Sequence, residues 1–147
     1  MPKEKSAGAV IFHKGEQIEY LLLLYPGSGK KSKQYWDLAK GHIEEKETEE
    51  DTLKREVFEE TGLKDISIID GFKKSIRYFF QKDGKTISKT VVFYLVKAKH
   101  REIKISPEHL DYVWLPIKDA IQTITHQDAK KILRAGNQFL YQKKNKP

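Results

Sequence analysis

Gly41-His42-Ile43-Glu44-Glu45-Lys46-Glu47-Thr48-Glu49-Glu50-Asp51-Thr52-Leu53-Lys54-Arg55-Glu56-Val57-Phe58-Glu59-Glu60-Thr61-Gly62-Leu63 is the stretch on which the fold turns, a polar loop that feeds a helix. Residues three and four apart on a helix share a face, so Glu56, Glu59 and Glu60 project the same way. At about 100° per residue, Glu60 points within roughly 20° of Leu53 and roughly 60° of Val57, which leans it toward the helix's buried side. A buried acid without a partner is costly, and gathered carboxylates raise one another's proton affinity unless a cation neutralises them. Such an oxygen-rich set suits magnesium or manganese, so a hard divalent cation is the expected cofactor.

The first half of the helix reads differently. Glu47, Glu49, Glu50 and Asp51 fit a solvated face laced with local ion pairs, and acids in a first turn complement the helix dipole. Thr48 and Asp51 have the spacing of a capping box.

Gly41, Glu47, Arg55, Glu56, Val57, Glu59, Glu60, Gly62 and Leu63 stand at the spacing of the Nudix box, and every defining position is filled. The chain therefore resembles the Nudix hydrolases. The resemblance implies an α+β fold, an α/β/α sandwich with a central mixed sheet, and hydrolysis of a pyrophosphate linkage with a divalent metal. It implies metal ligation or water activation by Glu56, Glu59 and Glu60, a further ligand from the Lys40 backbone carbonyl, and an Arg55 that orients a catalytic carboxylate. Glu56 is the first choice as base, since a carboxylate in such a set can accept the proton of the attacking water. Gly62 suits the helix end because it takes positive φ without strain.

Beyond the box, Trp36–His42, Gly71–Lys74, Ser106–His109, Trp114–Leu115 and Asn137–Leu140 resemble the asymmetrical diadenosine tetraphosphate hydrolases, which split a dinucleoside tetraphosphate into ATP and AMP. Carried across, the likeness implies that His42 faces the phosphate chain and Tyr78 and Phe139 stack on an adenine. Lys89, by the same likeness, touches phosphate, and Glu108 assists metal or water from a loop. Core packing accounts equally well for Tyr78 and Phe139, a solvated strand position for Lys89, and an ordinary loop acid for Glu108. His42, after a glycine in a charged loop, is hard to explain as core. Two positions depart from the pattern: Ala39 stands where that group has proline, and Lys46 where many Nudix boxes have glycine.

The 147 residues suit a single domain, and no composition shift divides them. No apolar run is long enough for a bilayer, and Met1–Lys5 does not lead into a signal-like stretch, so a cytoplasmic location is expected. The absence of cysteine excludes thiolate metal sites and thiol catalysis. A net charge of +7 attracts polyanions; nucleic acid is not required as a partner, and no oligomeric state is implied. Lys30, Lys31 and Lys33 on one glycine-containing loop are placed to receive phosphates, whereas Lys143–Pro147 reads as a solvated tail.

Strands are expected at Ala7–Phe12, Ile18–Leu24, Trp36–Leu38, Ile66–Phe80, Thr86–Lys97 and Tyr112–Leu115, with a tight turn at Asp83-Gly84. Helices are expected at Ile117–Ile124 and Gln127–Tyr141.

Within the same chemistry, another nucleotide, a capped RNA or an inositol pyrophosphate also fits as substrate. A non-catalytic nucleotide-binding module is the reading from a different class. It gains nothing from mutually repelling acids.

Overall fold

A computed structural model describes residues 1–27 and 33–144. The strands are β1 (Lys3–Lys14), β2 (Ile18–Tyr25), β3 (Tyr35–Asp37), β4 (Ala39–His42), β5 (Ile66–Lys82), β6 (Lys85–Ala98) and β7 (Asp111–Pro116). The helices are α1 (Glu49–Thr61), α2 (Ile117–Thr123) and α3 (Gln127–Lys144).

The strands form one seven-stranded sheet in the order β3-β2-β1-β6-β5, with β4 added on β1 and β7 on β2. Only the β1–β6 pairing among these is parallel, so the sheet is mixed as expected. Alternating side chains explain the sandwich. Val10 and Phe12 of β1 join Leu22, Phe93 and Leu95 beneath Ile124, Ile132 and Leu133 of the α2–α3 side. Ala9 and Ile11 face the other way, joining Leu21, Leu23 and Val96 against Leu53 and Val57 of α1. Because both faces are covered, Leu21, Leu22 and Leu23 are all buried, which is why that run shows no polar alternation.

Two differences from the expected elements matter for the site. β1 begins four residues earlier than Ala7 because Lys3, Glu4, Lys5 and Ser6 pair with Ser88–Val91 of β6. Ala39–His42, read as loop, is a strand on β1, with Gly41 opposite Ala7. Polar composition hid both, since their pairing partners are remote in the chain. α3 runs to Lys144, past the expected Tyr141. The β5–β6 turn at Asp83-Gly84 has φ of 52° and 75°, the left-handed conformations of a two-residue hairpin. Of the lysine loop expected to receive phosphates, Lys30 and Lys31 lie outside the described residues. Among the described residues no helix is long and apolar enough to cross a membrane.

Candidate active site

α1 starts from Thr48, whose hydroxyl accepts from the Asp51 amide while the Asp51 carboxylate accepts from the Thr48 amide, the capping box expected from the sequence. It ends at Gly62, with φ of 76°. Thr52, Leu53, Val57 and Thr61 bury one face, and Glu60 is carried in with them at 6 % exposure. Thus the helix that packs on the sheet also presses a carboxylate into it.

Arg55 organises the acids. Its Nε donates to Glu47 Oε2 at 2.7 Å and its Nη2 to Glu47 Oε1 at 2.9 Å. Nη1 reaches Glu56 Oε1 at 2.7 Å and Glu59 Oε2 at 3.2 Å, and Nη2 also reaches the His42 carbonyl at 3.0 Å. Two acids read as solvated are corrected here. Glu47 precedes the cap and accepts from Arg55, the Glu44 amide and the Thr52 hydroxyl, which hold its carboxyl down at about 2. Glu49 bridges Lys5, Lys73 and the Tyr94 hydroxyl, tying the start of α1 to β1, β5 and β6. The partners of Glu49 come from distant strands, so local charge patterning could not reveal them, whereas the Glu47 contacts are local ion pairing and hydrogen bonding.

Gly41 is needed for space. A Cβ there would lie 1.9 Å from Glu56 Cδ, so the carboxylate occupies the volume that any other residue would fill. Burial raises the pKa of Glu56 despite Arg55. Burial, with the charges of Glu56 and Glu108, pushes Glu60 up to about 8. Glu60 Oε2 accepts from the Lys40 amide at 3.2 Å. Glu108, exposed on its loop, is therefore close enough to act on both acids. Among the described residues no three acidic or histidine side chains converge in coordinating geometry. Arg55 holds Glu56 and Glu59, and the Lys40 amide holds Glu60. The donor set nevertheless fits a hard dication: it is all oxygen, and its acids oppose one another's ionisation, a repulsion that positive charge would relieve.

Beside the acids lies a cavity of about 290 Å³ lined by Tyr35, Asp37, Lys40, Tyr78, His126 and Asp128, with Ile76 and Phe93 as apolar walls. Tyr35 stacks on Tyr25 at 5.1 Å and 5°, and His126 sits 5.4 Å from Tyr35. Lys40 Nζ pairs with Asp37 Oδ2 at 3.0 Å. Lys40 thus touches both regions, its amide on Glu60 and its side chain in the cavity.

Near the mouth of the site, Lys89 Nζ and His42 Nδ1 each lie 3.8 Å from Glu4 Oε1. Lys89 is not the solvated strand lysine its surroundings in sequence allow; its side chain is 12 % exposed, and burial with the charges of Lys40 and Lys82 pushes its pKa down. Burial and Lys89 lower that of His42. Lys89 and the neutral His42 imidazole thus share Glu4, among the described residues the one anion placed against both.

Tyr78 is in the cavity, but Phe139 is not. Phe139 packs on Phe72 at 5.7 Å and abuts Gly71, where a Cβ would come within 3.1 Å of its ring. Residue 139 lies about 18 Å along α3 from Gln127, too far from the end that carries His126. Tyr35, Asp37 and His126 were missed. The aromatic pair Tyr35-Trp36 before the box and the His126-Gln127-Asp128 helix start were the only local signals.

The chain matches the NUDIX domain over residues 2–136. It is 31 % identical over 147 aligned residues to the asymmetrical bis(5'-nucleosyl)-tetraphosphatase of Mus musculus, covering 92 % of this chain and 95 % of that one. The enzyme of the same name from Sus scrofa is 32 % identical, with the same coverage. A solved binary complex of the C. elegans Ap4A hydrolase superposes with a TM-score of 0.78 at 29 % identity, covering 94 % of this chain and 98 % of that one.

Proposed function

We propose, from the premise that this chain belongs to the Nudix family, that it hydrolyses dinucleoside polyphosphates with a divalent cation, above all diadenosine tetraphosphate to ATP and AMP. The observation that carries this reading is Lys40, which joins an aromatic-walled cavity sized for a base to the buried Glu60 carboxylate, itself close enough to feel the charge of Glu56. Relatives of that named activity match over nearly the whole chain, which supports the same substrate class.

Glu56, Glu59 and Glu60, with the Lys40 carbonyl, would hold magnesium or manganese. When bound, the cation lowers the pKa of water and offsets phosphate charge. Arg55 sets Glu56 and Glu59 in place from one side and Gly41 leaves Glu56 room from the other. Glu56 takes the proton as the water oxygen bonds to phosphorus. The bridging P–O bond breaks, and its electron pair leaves with the departing nucleotide. Glu108 adds a carboxylate at the edge of the site. Lys89 and Lys40 neutralise the phosphate oxygens and His42 donates a hydrogen bond to them, positioning and charge supplying most of the remaining rate enhancement. Tyr78, Tyr35 and His126 hold one base by stacking.

The test is hydrolysis of diadenosine tetraphosphate in ¹⁸O-labelled water with magnesium. AMP plus ATP, with label in one product, is expected; two ADP molecules, or a rate no better than that on ATP, would remove the substrate assignment. Glu59→Gln should abolish turnover with magnesium present.

A further inference from the structure

We propose that His109 is a positioning residue for cation binding, presenting its Nε2–H to Glu60 Oε1 while Ser106 fixes the opposite ring nitrogen. His109 is 5 % exposed, and its Nε2 is buried without a hydrogen-bond partner among the described residues. That atom stands 3.9 Å from Glu60 Oε1. Buried polar atoms are rarely left alone, so an orphan aimed at a buried carboxylate asks for a reason.

The surroundings fix the ring closely. Nδ1 lies 2.8 Å from Ser106 Oγ. The Tyr25 ring meets the imidazole nearly edge-on, at 4.6 Å and 77°, and is itself anchored by its hydroxyl on the Leu38 carbonyl at 2.7 Å. The Ser106 amide donates to the Glu60 carbonyl at 3.2 Å and the His109 amide to the Ser106 carbonyl at 3.1 Å, so this turn hangs from the same residue its histidine addresses.

With the Ser106 hydroxyl donating to Nδ1, the ring hydrogen resides on Nε2, the tautomer that complements a carboxylate. At 3.9 Å the contact is not yet a hydrogen bond. Closing it takes about 1 Å. Glu60 would then lie between two N–H donors, Lys40 on Oε2 and His109 on Oε1, with its remaining lone pairs directed outward. Donors that orient a ligand from behind raise cation affinity because the ligand's geometry is set in advance. This inference rests on Glu60 being a cation ligand, as in the function proposed above.

Mn²⁺ titration of the full chain without substrate, with free Mn²⁺ followed by electron paramagnetic resonance, separates the two. The parent should bind and Glu60→Gln should lose binding. His109→Phe, of similar size but without a donor, should weaken binding about 10- to 100-fold, and His109→Gln, whose amide can replace Nε2–H, should recover to within about 3-fold of the parent. Where His109→Phe fails to fold, Ser106→Ala serves: it keeps the ring but frees its tautomer, and should cost about 3- to 10-fold. A folded His109→Phe or Ser106→Ala that binds Mn²⁺ as the parent does overturns the role of His109 alone. A parent that binds no Mn²⁺ overturns the cation site and this role together.

Discussion

Arg55 and Glu47 are joined by two hydrogen bonds, at 2.7 and 2.9 Å, across the start of α1. Planar guanidinium and planar carboxylate meet side by side, a geometry that fixes orientation as well as distance. The remaining Arg55 nitrogen is thereby aimed at Glu56 and Glu59. Arg55 thus links Glu47 to Glu56 and Glu59.

Glu47→Gln keeps the shape but loses one acceptor and the charge. Arg55 should swing more freely, and kcat should fall about 10- to 100-fold with KM little changed. Steady-state kinetics with saturating magnesium tests this, and an unchanged kcat would mean that Arg55 holds its position without Glu47.

Gly41→Ala places a methyl where Glu56 Cδ lies, at 1.9 Å. No left-handed φ is needed at Gly41, so the strand should tolerate the change while the carboxylate cannot. A displacement of about 1 Å can cost on the order of 100-fold in rate. The expected outcome is that loss in kcat/KM with a melting temperature near the parent's.

Legibility from sequence followed contact distance. The Thr48–Asp51 cap, the Gly62 terminus, the Asp83-Gly84 turn and the inward lean of Glu60 depend on neighbours within one or two turns, and all were readable. The cavity depends on residues from Tyr35 to Asp128 that meet only because β3, β5 and α3 converge. His109 went unnoticed beside Glu108 for the same reason, its partner being Glu60. Phe139 shows the limit of local reading: core packing and base stacking fit its run of sequence equally well, and only the fold puts it against Phe72, apart from the cavity that holds Tyr78.

Lys46 occupies φ of 70°, in the left-handed region, where many Nudix boxes have glycine. A non-glycine residue there costs about 1–2 kcal/mol, against roughly 0.4–1 kcal/mol for the greater freedom glycine gives the unfolded chain. Lys46→Gly should therefore stabilise by about 0.5–1 kcal/mol, raising the melting temperature by roughly 2 °C. Catalysis should not change, because Lys46 is exposed.

Glu60, Glu47 and Glu49 give the cation-free protein opposing pH dependences. The Glu60 carboxyl is raised from 4.5 to about 8, so the native state holds a proton that the unfolded chain has lost; stability falls as pH rises from 4.5 to 8. Glu47 and Glu49 are held at about 2, so their contribution is present above 4.5 and is lost as pH falls toward 2. Melting in chelator should peak near the common ordinary value. At pH 8, Glu60→Gln should melt higher than the parent in chelator, by about 2 kcal/mol or roughly 6 °C. Magnesium should raise the parent and leave the variant nearly unmoved.

Tyr78 and Phe139, paired by resemblance as base-stacking residues, should separate cleanly by experiment. Tyr78 lines the cavity, so Tyr78→Ala removes a stacking face, worth about 1 kcal/mol or more. KM for diadenosine tetraphosphate should rise about 5- to 10-fold with kcat nearly constant. Phe139 fills the contact between α3, Phe72 and Gly71. Phe139→Ala should instead lower stability by about 2–3 kcal/mol, less than for a fully buried phenylalanine because the ring is partly exposed, and leave KM alone. Chemical denaturation alongside kinetics on both variants distinguishes the roles. A rise in KM for Phe139→Ala at unchanged stability would return that residue to the substrate, and an unmoved KM for Tyr78→Ala would empty the cavity of its assigned base.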